Sequence, residues 1–210
     1  MHKHIATLTC FLGLAGLASA SPYAVNIVNF DFETGGFAID TFSNNPGVVP
    51  AGWSAAGPIT GAFYGYFNPS GTTYANTNGS GVGANMSGPN VFYFGSAESG
   101  QGIQQVLAET FSPGASYTLT VALGSRLGAN AFTASLTMML YAGDTPIAGN
   151  TFRNTSFDGT FSDCSIDYVY STSHAPLAGE FLKIVFLEEN VISAGEVDID
   201  NVRLIASPSV

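Results

Sequence analysis

Cysteine and positive charge are the two scarcest features of this 210-residue chain. It has only two cysteines, and Lys and Arg together number 5 against 15 Asp and Glu. The formal net charge of −10 argues against nucleic acid and anionic lipid as partners, because both repel an acidic protein. Charged residues make up only 10% of the chain, but 46% of it is hydrophobic, so the low charge does not indicate disorder.

The N-terminus has the pattern of an export signal. Lys3 lies in a short polar segment, an apolar run covers residues 5–17, and Ala18-Ser19-Ala20 has the small-x-small form of a cleavage site. The apolar run is too short to span a membrane comfortably, and no later stretch reads as a transmembrane helix. The sequence therefore predicts a signal peptide over residues 1–20, a single domain over 21–210, and a secreted, extracellular protein without membrane insertion.

Removal of that segment would leave one cysteine, Cys164, so no disulfide could form within the mature chain. Cys164 shares strand parity with Ile166, Tyr168 and Tyr170, which favours a buried thiol that behaves as a small hydrophobe. Stability would then depend on the core or on a bound metal.

Helix signals are almost absent, whereas short alternating segments bounded by Gly, Pro and Asn are frequent. Nine or ten such segments predict an all-β fold, an antiparallel β-sandwich or jelly roll. The main candidate strands cover residues 25–32, 62–67, 91–95, 102–107, 117–123, 132–141, 147–150, 164–170, 181–188 and 196–204.

The last of these strands changes parity part-way. Val197 and Ile199 share one side, but Val202 and Leu204 have the other parity. A regular strand cannot bury both pairs on one face. A β-bulge near residues 200–201 would bring all four inward.

Five short motifs, in this order, resemble the galactose-binding-like jelly rolls. They are Asn29–Glu33, Pro50–Trp53, Gln104–Val106, Ser116–Val121 and Ile199–Leu204. This group includes carbohydrate-binding modules of secreted glycanases, and the chain is equally similar to exported bacterial proteins that end in a sorting anchor. The sorting tail is missing here. The resemblance implies a galactose-binding-like sandwich.

The resemblance also implies a structural calcium ion, held by an acid after the first strand and another in the closing strand. The matching residues are Glu33 and Asp200. Ca²⁺ binds six to eight oxygen ligands and accepts backbone carbonyls, so such a pair is chemically suitable. The alternative is that both are ordinary solvated or backbone-bonded carboxylates. Asp31 and Asp198 are weaker candidates, because their parity directs them to solvent.

A second site that the resemblance implies is a sugar-binding surface made of Tyr64, Tyr66, Tyr74 and Asn76. Pyranose rings stack on exposed aromatic rings, and amides bind the hydroxyl groups. The alternative is that these aromatic residues cover the edge of the core. Trp53, the one tryptophan, is expected inside.

Catalytic signals are weak. His174 is the sole histidine after the predicted signal peptide, and the chain has no Gly-x-Ser-x-Gly motif. Carboxylate pairs are inevitable among 15 acids and therefore have little specificity. The sequence thus predicts no catalytic residue and a secreted non-catalytic module that binds a cell-wall or matrix polysaccharide. The alternatives are a structural or adhesive protein without a sugar site and a secreted hydrolase.

Overall fold

A computed structural model describes residues 20–35, 41–42, 49–57, 64–74, 85–95, 100–127, 133–154, 157–192 and 196–208. Within these ranges twelve strands form two antiparallel sheets. The strands are β1 (Tyr23–Val25), β2 (Thr41–Phe42), β3 (Ser54–Ala56), β4 (Tyr64–Asn68), β5 (Val91–Gly95), β6 (Gly102–Thr110), β7 (Ser116–Gly124), β8 (Thr133–Ala142), β9 (Thr145–Arg153), β10 (Phe161–Tyr168), β11 (Phe181–Ile192) and β12 (Glu196–Ser207).

The larger sheet has the order β10-β7-β12-β5-β4-β2, and β1 pairs with the second half of β12. The smaller sheet has the order β3-β6-β11-β8-β9. One short 3₁₀ helix, Thr172–Leu177, lies between β10 and β11. The predicted all-β antiparallel sandwich is confirmed. No helix in the described ranges is both long and apolar enough to cross a membrane.

The core lies between the sheets and is formed by inward-facing side chains of both sheets. Trp53 packs there between Phe32 and Phe186, with ring centroids 5.7 Å away in both cases. Cys164 is buried, and burial raises the pKa of its thiol to about 11. Both residues are inside, as the sequence predicted.

The closing strand β12 contains the predicted β-bulge. Asp200 pairs with Ala122 and Arg203 with Thr120, so β12 advances three residues while β7 advances two. Asn201 takes up the extra residue with a φ of 49°, a left-handed conformation that Asn tolerates better than most residues. As a result Val197, Ile199, Val202 and Leu204 are all buried in the same core.

The strand predicted over residues 25–32 is wrong beyond its first residue, because β1 covers Tyr23–Val25 and no strand follows up to residue 35. β1 ends at Val25, and residues 28–31 form turns. Asn29 and Phe32 have φ values of 50° and 52°, which no regular strand contains. The side chain of Gln105 binds both backbone groups of Val28 and so replaces a neighbouring strand.

Candidate active site

The larger sheet is buried on both faces over part of its area. All five residues of β4 are buried, as are the first five of β12. A second apolar cluster covers the outer face there, formed by Phe67, Tyr74, Val91, Tyr93, Ala122 and Phe161, with Met86 packed against it. Since the outer face of a sandwich is usually solvated, this covered area is unusual.

Asp198 lies at the centre of the covered area and is fully buried. Its neighbours in register are Tyr93 on β5 and Gly124 on β7, and Phe161 lies opposite Gly124 on β10. A Cβ atom at position 124 would lie 2.4 Å from the Phe161 ring, so glycine leaves the space that the ring occupies. The carboxyl group therefore lies in a row of aromatic side chains.

Tyr74 covers the Asp198 carboxyl group. Its hydroxyl donates a hydrogen bond of 2.7 Å to Asp198 Oδ2, and both residues are buried. The Tyr74 ring packs edge-on against Phe161, with centroids 4.8 Å apart. Burial first, and the neighbouring Asp198 charge second, raise the pKa of the Tyr74 hydroxyl well above its usual value.

A second carboxyl group, Glu196, lies two residues before Asp198 on β12 and forms an ion pair with Arg126. Burial and the Glu196 charge raise the pKa of Asp198 well above its usual range, while Arg126 and the Tyr74 hydroxyl oppose the rise. Burial also raises the pKa of Glu196, but Arg126 opposes it. Burial therefore favours the protonated form of Asp198 more than that of Glu196, because Arg126 contacts Glu196.

The two predicted metal ligands, Glu33 and Asp200, bind the same loop. Glu33 accepts hydrogen bonds from the backbone and side chain of Asn90, and Asp200 accepts one from the backbone N–H of Ser87, at 2.6 Å. Both acids are thus backbone-bonded carboxylates, as the alternative interpretation held. Burial raises the pKa of Asp200 well above its usual range, and the nearby charges of Glu33 and Asp31 add to this.

The acidic cluster of Asp31, Glu33 and Asp200 has some of the features of a Ca²⁺ site. The Asp31 charge adds to the raised pKa of Glu33 and of Asp200, the Glu33 charge adds to that of Asp200, and Asn90 Oδ1 is buried with no donor in the described part of the chain. However, no three His, Cys, Asp or Glu side chains among the described residues are placed to hold a metal together. Carbonyl or amide oxygens would have to complete the coordination, and calcium ions accept them. Calcium therefore stays a prediction.

The predicted sugar-binding residues do not form an exposed surface. Tyr64 and Tyr66 point into the core between the sheets and are 1% and 4% exposed, so their rings cannot stack on a sugar. Tyr74 is also buried, but on the outer face against Asp198. Asn76 lies outside the described residues. Strand alternation correctly predicted that Tyr64 and Tyr66 share one face of their strand, but that face is turned to the core and not to solvent.

Sequence reasoning missed Asp198, Glu196 and Arg126 as a functional group. Parity placed Asp198 on the outer face correctly, and the assumption that this face is solvated was wrong. The available signal was three acids at alternate positions of one strand, Glu196, Asp198 and Asp200, in a chain with few basic residues. Nothing in the sequence shows that Arg126 and Tyr74 meet them.

The family model for HpiC1-like proteins, described as HpiC1 cyclase, matches residues 23–205. The chain belongs to the HpiC1-like cyclase family. A search of curated proteins found no match.

Three solved cyclase structures have the same fold as this HpiC1-like chain. The Stig cyclase Fisc from Fischerella sp. TAU, in complex with (3Z)-3-(1-methyl-2-pyrrolidinylidene)-3H-indole, is 24% identical, with a TM-score of 0.69, covering 90% of this chain and 100% of that one. An apo cyclase from Fischerella sp. is also 24% identical, with a TM-score of 0.71, covering 91% and 100%. A third cyclase from Fischerella sp. TAU, 23% identical with a TM-score of 0.68, covers 90% and 99% and holds 4-(1H-indol-3-yl)butan-2-one.

The family corrects four predictions. The predictions of a non-catalytic module and of a protein that is not an enzyme are wrong, because the family is one of cyclases. The polysaccharide partner is wrong too, since the ligands in the similar cyclases are small indole compounds. The likeness to proteins with a sorting anchor is replaced by the HpiC1-like family, although the jelly-roll fold stands.

Proposed function

We propose that this protein is a cyclase that closes a ring in a small aromatic substrate by acid catalysis, with Asp198 as the proton donor. The observation that carries the proposal is the fully buried carboxyl group of Asp198, which the Tyr74 hydroxyl contacts in an aromatic surrounding. A carboxylic acid whose pKa is raised by burial keeps its proton at neutral pH and can donate it.

The reaction is an isomerisation. Asp198 donates its proton to an electron-rich double bond of the substrate, which becomes a cation. The π electrons of a second double bond in the same molecule attack the cation, and a new carbon–carbon bond closes the ring. Loss of a proton from the ring product to the Asp198 carboxylate restores the acid, so neither an oxidant nor a reductant is consumed.

Three described side chains prepare the site for these charges. The Tyr74 hydroxyl and Arg126 stabilise the Asp198 carboxylate that forms after proton donation. The Tyr93 ring, next to Asp198 in register, offers a π surface to the cationic intermediate. Because the Tyr74 ring covers Asp198, it has to move aside when substrate enters.

The substrate class is an indole or a related aromatic molecule with an unsaturated side chain. Aromatic side chains line the covered area, and apolar aromatic ligands bind in such surroundings. The indole ligands of the similar cyclases support the same class.

Asp198→Asn tests the acid. Binding of 4-(1H-indol-3-yl)butan-2-one is measured by calorimetry, and turnover of 3-alkenylindoles is followed by loss of alkene NMR signals at constant mass. We expect both proteins to bind the ketone and turnover to fall by about 10²–10⁴-fold in the variant, the usual contribution of a general acid. Asp163→Asn is the matched control, because Asp163 is half-exposed and pairs with Arg203. Equal turnover in Asp198→Asn would refute the acid, and no binding to the wild type would refute the substrate class.

Two further predictions remain proposals. We propose that Ca²⁺ stabilises the loop at residues 85–90 through Glu33 and Asp200, which both bind it. We also propose that the protein is exported after cleavage at Ala20, which N-terminal sequencing of the protein secreted by an expressing cell would test.

A further inference from the structure

A cavity of about 590 Å³ lies between the N-terminal segment and β12, away from Asp198. β1 pairs with β12 as far as Val25, and the chain returns to β12 at Phe30, whose carbonyl accepts a hydrogen bond of 2.9 Å from the Val202 N–H. Between these two attachments the N-terminal segment has four residues, 26–29, whereas β12 has one. The longer segment therefore bows away from β12 and leaves a space between them.

The bulge in β12 determines which side chains line this cavity. Val202 and Leu204 turn to the core after the extra residue, so Arg203 and Ile205 turn to the outer face of the sheet. The cavity therefore opens on the same face of the sheet as Asp198. Its lining side chains are mainly apolar and include Ala24, Ile27, Phe30, Thr120, Arg203 and Ile205.

The apolar side chains of the cavity suit a small organic ligand. Phe30 and Ile205 are 39% and 38% exposed and are among the large hydrophobic side chains that the described residues leave accessible to solvent. Pockets of about 300–1,000 Å³ with mainly apolar walls and a few polar groups are typical of small-molecule sites. An aromatic ligand that lies against both side chains would remove them from water.

The polar part of the cavity is positively charged. Arg203 is the one charged side chain among the ten described residues that line it. Its Nη2 donates a hydrogen bond of 2.6 Å to Asp163, and its Nε donates one of 3.2 Å to the Asn201 carbonyl. A guanidinium group has five N–H donors, so the other three have no acceptor in the part of the chain that the structure describes.

We propose that this cavity is a second ligand site, which binds a small aromatic carboxylate. The aromatic body lies against Phe30 and Ile205, and the carboxylate binds Arg203, because a guanidinium group matches the planar geometry of a carboxylate. The half-exposed ion pair with Asp163 is weak enough for a ligand carboxylate to share the guanidinium. Asp198 has no part in this site, so the site and the proposed function are independent.

The register of β7 and β12 separates the cavity from the covered area. Ala122, opposite Asp200, belongs to the apolar cluster that covers the outer face, whereas Thr120, opposite Arg203, lines the cavity. The Asp200 carboxylate lies between the two places and binds the N–H of Ser87. The two sites are therefore neighbours along one face of the sheet.

Charge distinguishes the ligands of the two sites. The covered area holds Glu196 and Asp198, with Asp200 beside them, against the single cation Arg126. A carboxylate ligand is repelled there, because buried like charges are costly. At the cavity the nearest charge is that of Arg203, which attracts a carboxylate.

Two probes of nearly the same shape test the site. Indole-3-propionate carries a carboxylate where 4-(1H-indol-3-yl)butan-2-one carries a methyl ketone, so the two compounds differ mainly in charge. Calorimetry on the full chain measures the Kd of each. We expect indole-3-propionate to bind the wild type, to bind more weakly at high salt, and to remain bound when the ketone is in excess.

Variants of the lining residues locate the bound carboxylate. Arg203→Gln should raise its Kd by about 10–100-fold, the loss expected for a charge-assisted hydrogen bond. Phe30→Ala, at a half-exposed side chain, should raise the Kd by about tenfold through lost apolar contact. Asp163→Asn should lower the Kd by up to about fivefold, because it frees the guanidinium from an exposed ion pair.

Asp144→Asn is the matched control for Asp163→Asn. Asp144 is exposed, forms an ion pair with Lys183 at the smaller sheet, and carries the same charge, so its replacement should leave the Kd unchanged. Circular dichroism establishes that each variant is folded. The methyl NMR signals of Ile205, assigned with Ile205→Val, should shift when indole-3-propionate is added to the wild type.

Three results would overturn the proposal. The first is no binding of indole-3-propionate to the wild type up to about 10 mM. The second is an equal Kd in wild type, Arg203→Gln and Phe30→Ala. The third is displacement of the carboxylate by the ketone, which would place both compounds in one site.

Discussion

The protein should lose stability as pH rises from 5 to 6, in the presence of a chelator. Burial raises the pKa of both Asp198 and Asp200 well above the usual range. In the unfolded chain an aspartate has a pKa of about 3.9. Between that value and the folded-state pKa, the folded protein therefore binds more protons than the unfolded one, and stability is highest below the window and falls through it.

The size of the effect follows from proton linkage. Each carboxyl group that is neutral only in the folded state lowers the free energy of unfolding by about 1.4 kcal/mol per pH unit. Asp198 and Asp200 together give a loss of at most about 3 kcal/mol over one pH unit within this window. For a protein of this size, that loss lowers Tm by about 6–12 °C.

Urea unfolding followed by the fluorescence of Trp53 measures this loss, because the single tryptophan is in the core. Asp198→Asn removes one of the two groups and retains an acceptor for Tyr74, so it should halve the slope of stability against pH. Asp163→Asn, on an exposed ion pair, should leave the slope unchanged. Stability that rises from pH 5 to 6, or an equal slope in Asp198→Asn, would refute the reasoning.

Three further outcomes are expected. Excess Ca²⁺ should raise Tm relative to chelator in the wild type but not in Asp200→Ala, since a ligand of the folded state stabilises by mass action; equal Tm values in both proteins would reject the calcium site. In urea titrations, Asn201→Val should lower the free energy of unfolding by about 1–3 kcal/mol, because valine is strained in the left-handed backbone conformation of this position and cannot donate a hydrogen bond to the Asn85 carbonyl. Asn201→Gly should relieve the backbone strain. Cys164 should react with a thiol reagent at pH 8 far more slowly in the folded protein than in urea, because its folded-state pKa is about 11; equal rates would contradict its burial.

Local pattern was sufficient for much of the fold. Residues 91–95 were predicted as a strand and form β5. The parity change between Ile199 and Val202 predicted the β-bulge, because hydrophobic side chains on both parities can share one core only across an extra residue. The same alternation failed at residues 28–32, where turn conformations at Asn29 and Phe32 replace the strand.

The candidate site could not be predicted in this way. Tyr74 and Asp198 are 124 residues apart in the chain and meet only after the outer face of the sheet has been covered. The alternation of side chains along a strand predicts which face of the sheet each one lies on, but it does not predict whether that face is exposed to solvent. Asp198 was therefore placed on the correct face and given the wrong surroundings.

The sequence by itself determined the antiparallel sandwich, the bulge in its closing strand and the burial of Trp53 and Cys164, because these follow from interactions between near neighbours in a strand. Only the tertiary structure decided the chemistry of that closing strand. It brings Tyr74 and Arg126 over Asp198 and Glu196 and removes both carboxyl groups from solvent. That burial raises the pKa of Asp198 well above the value of a surface carboxylate, and burial is a property of the assembled fold.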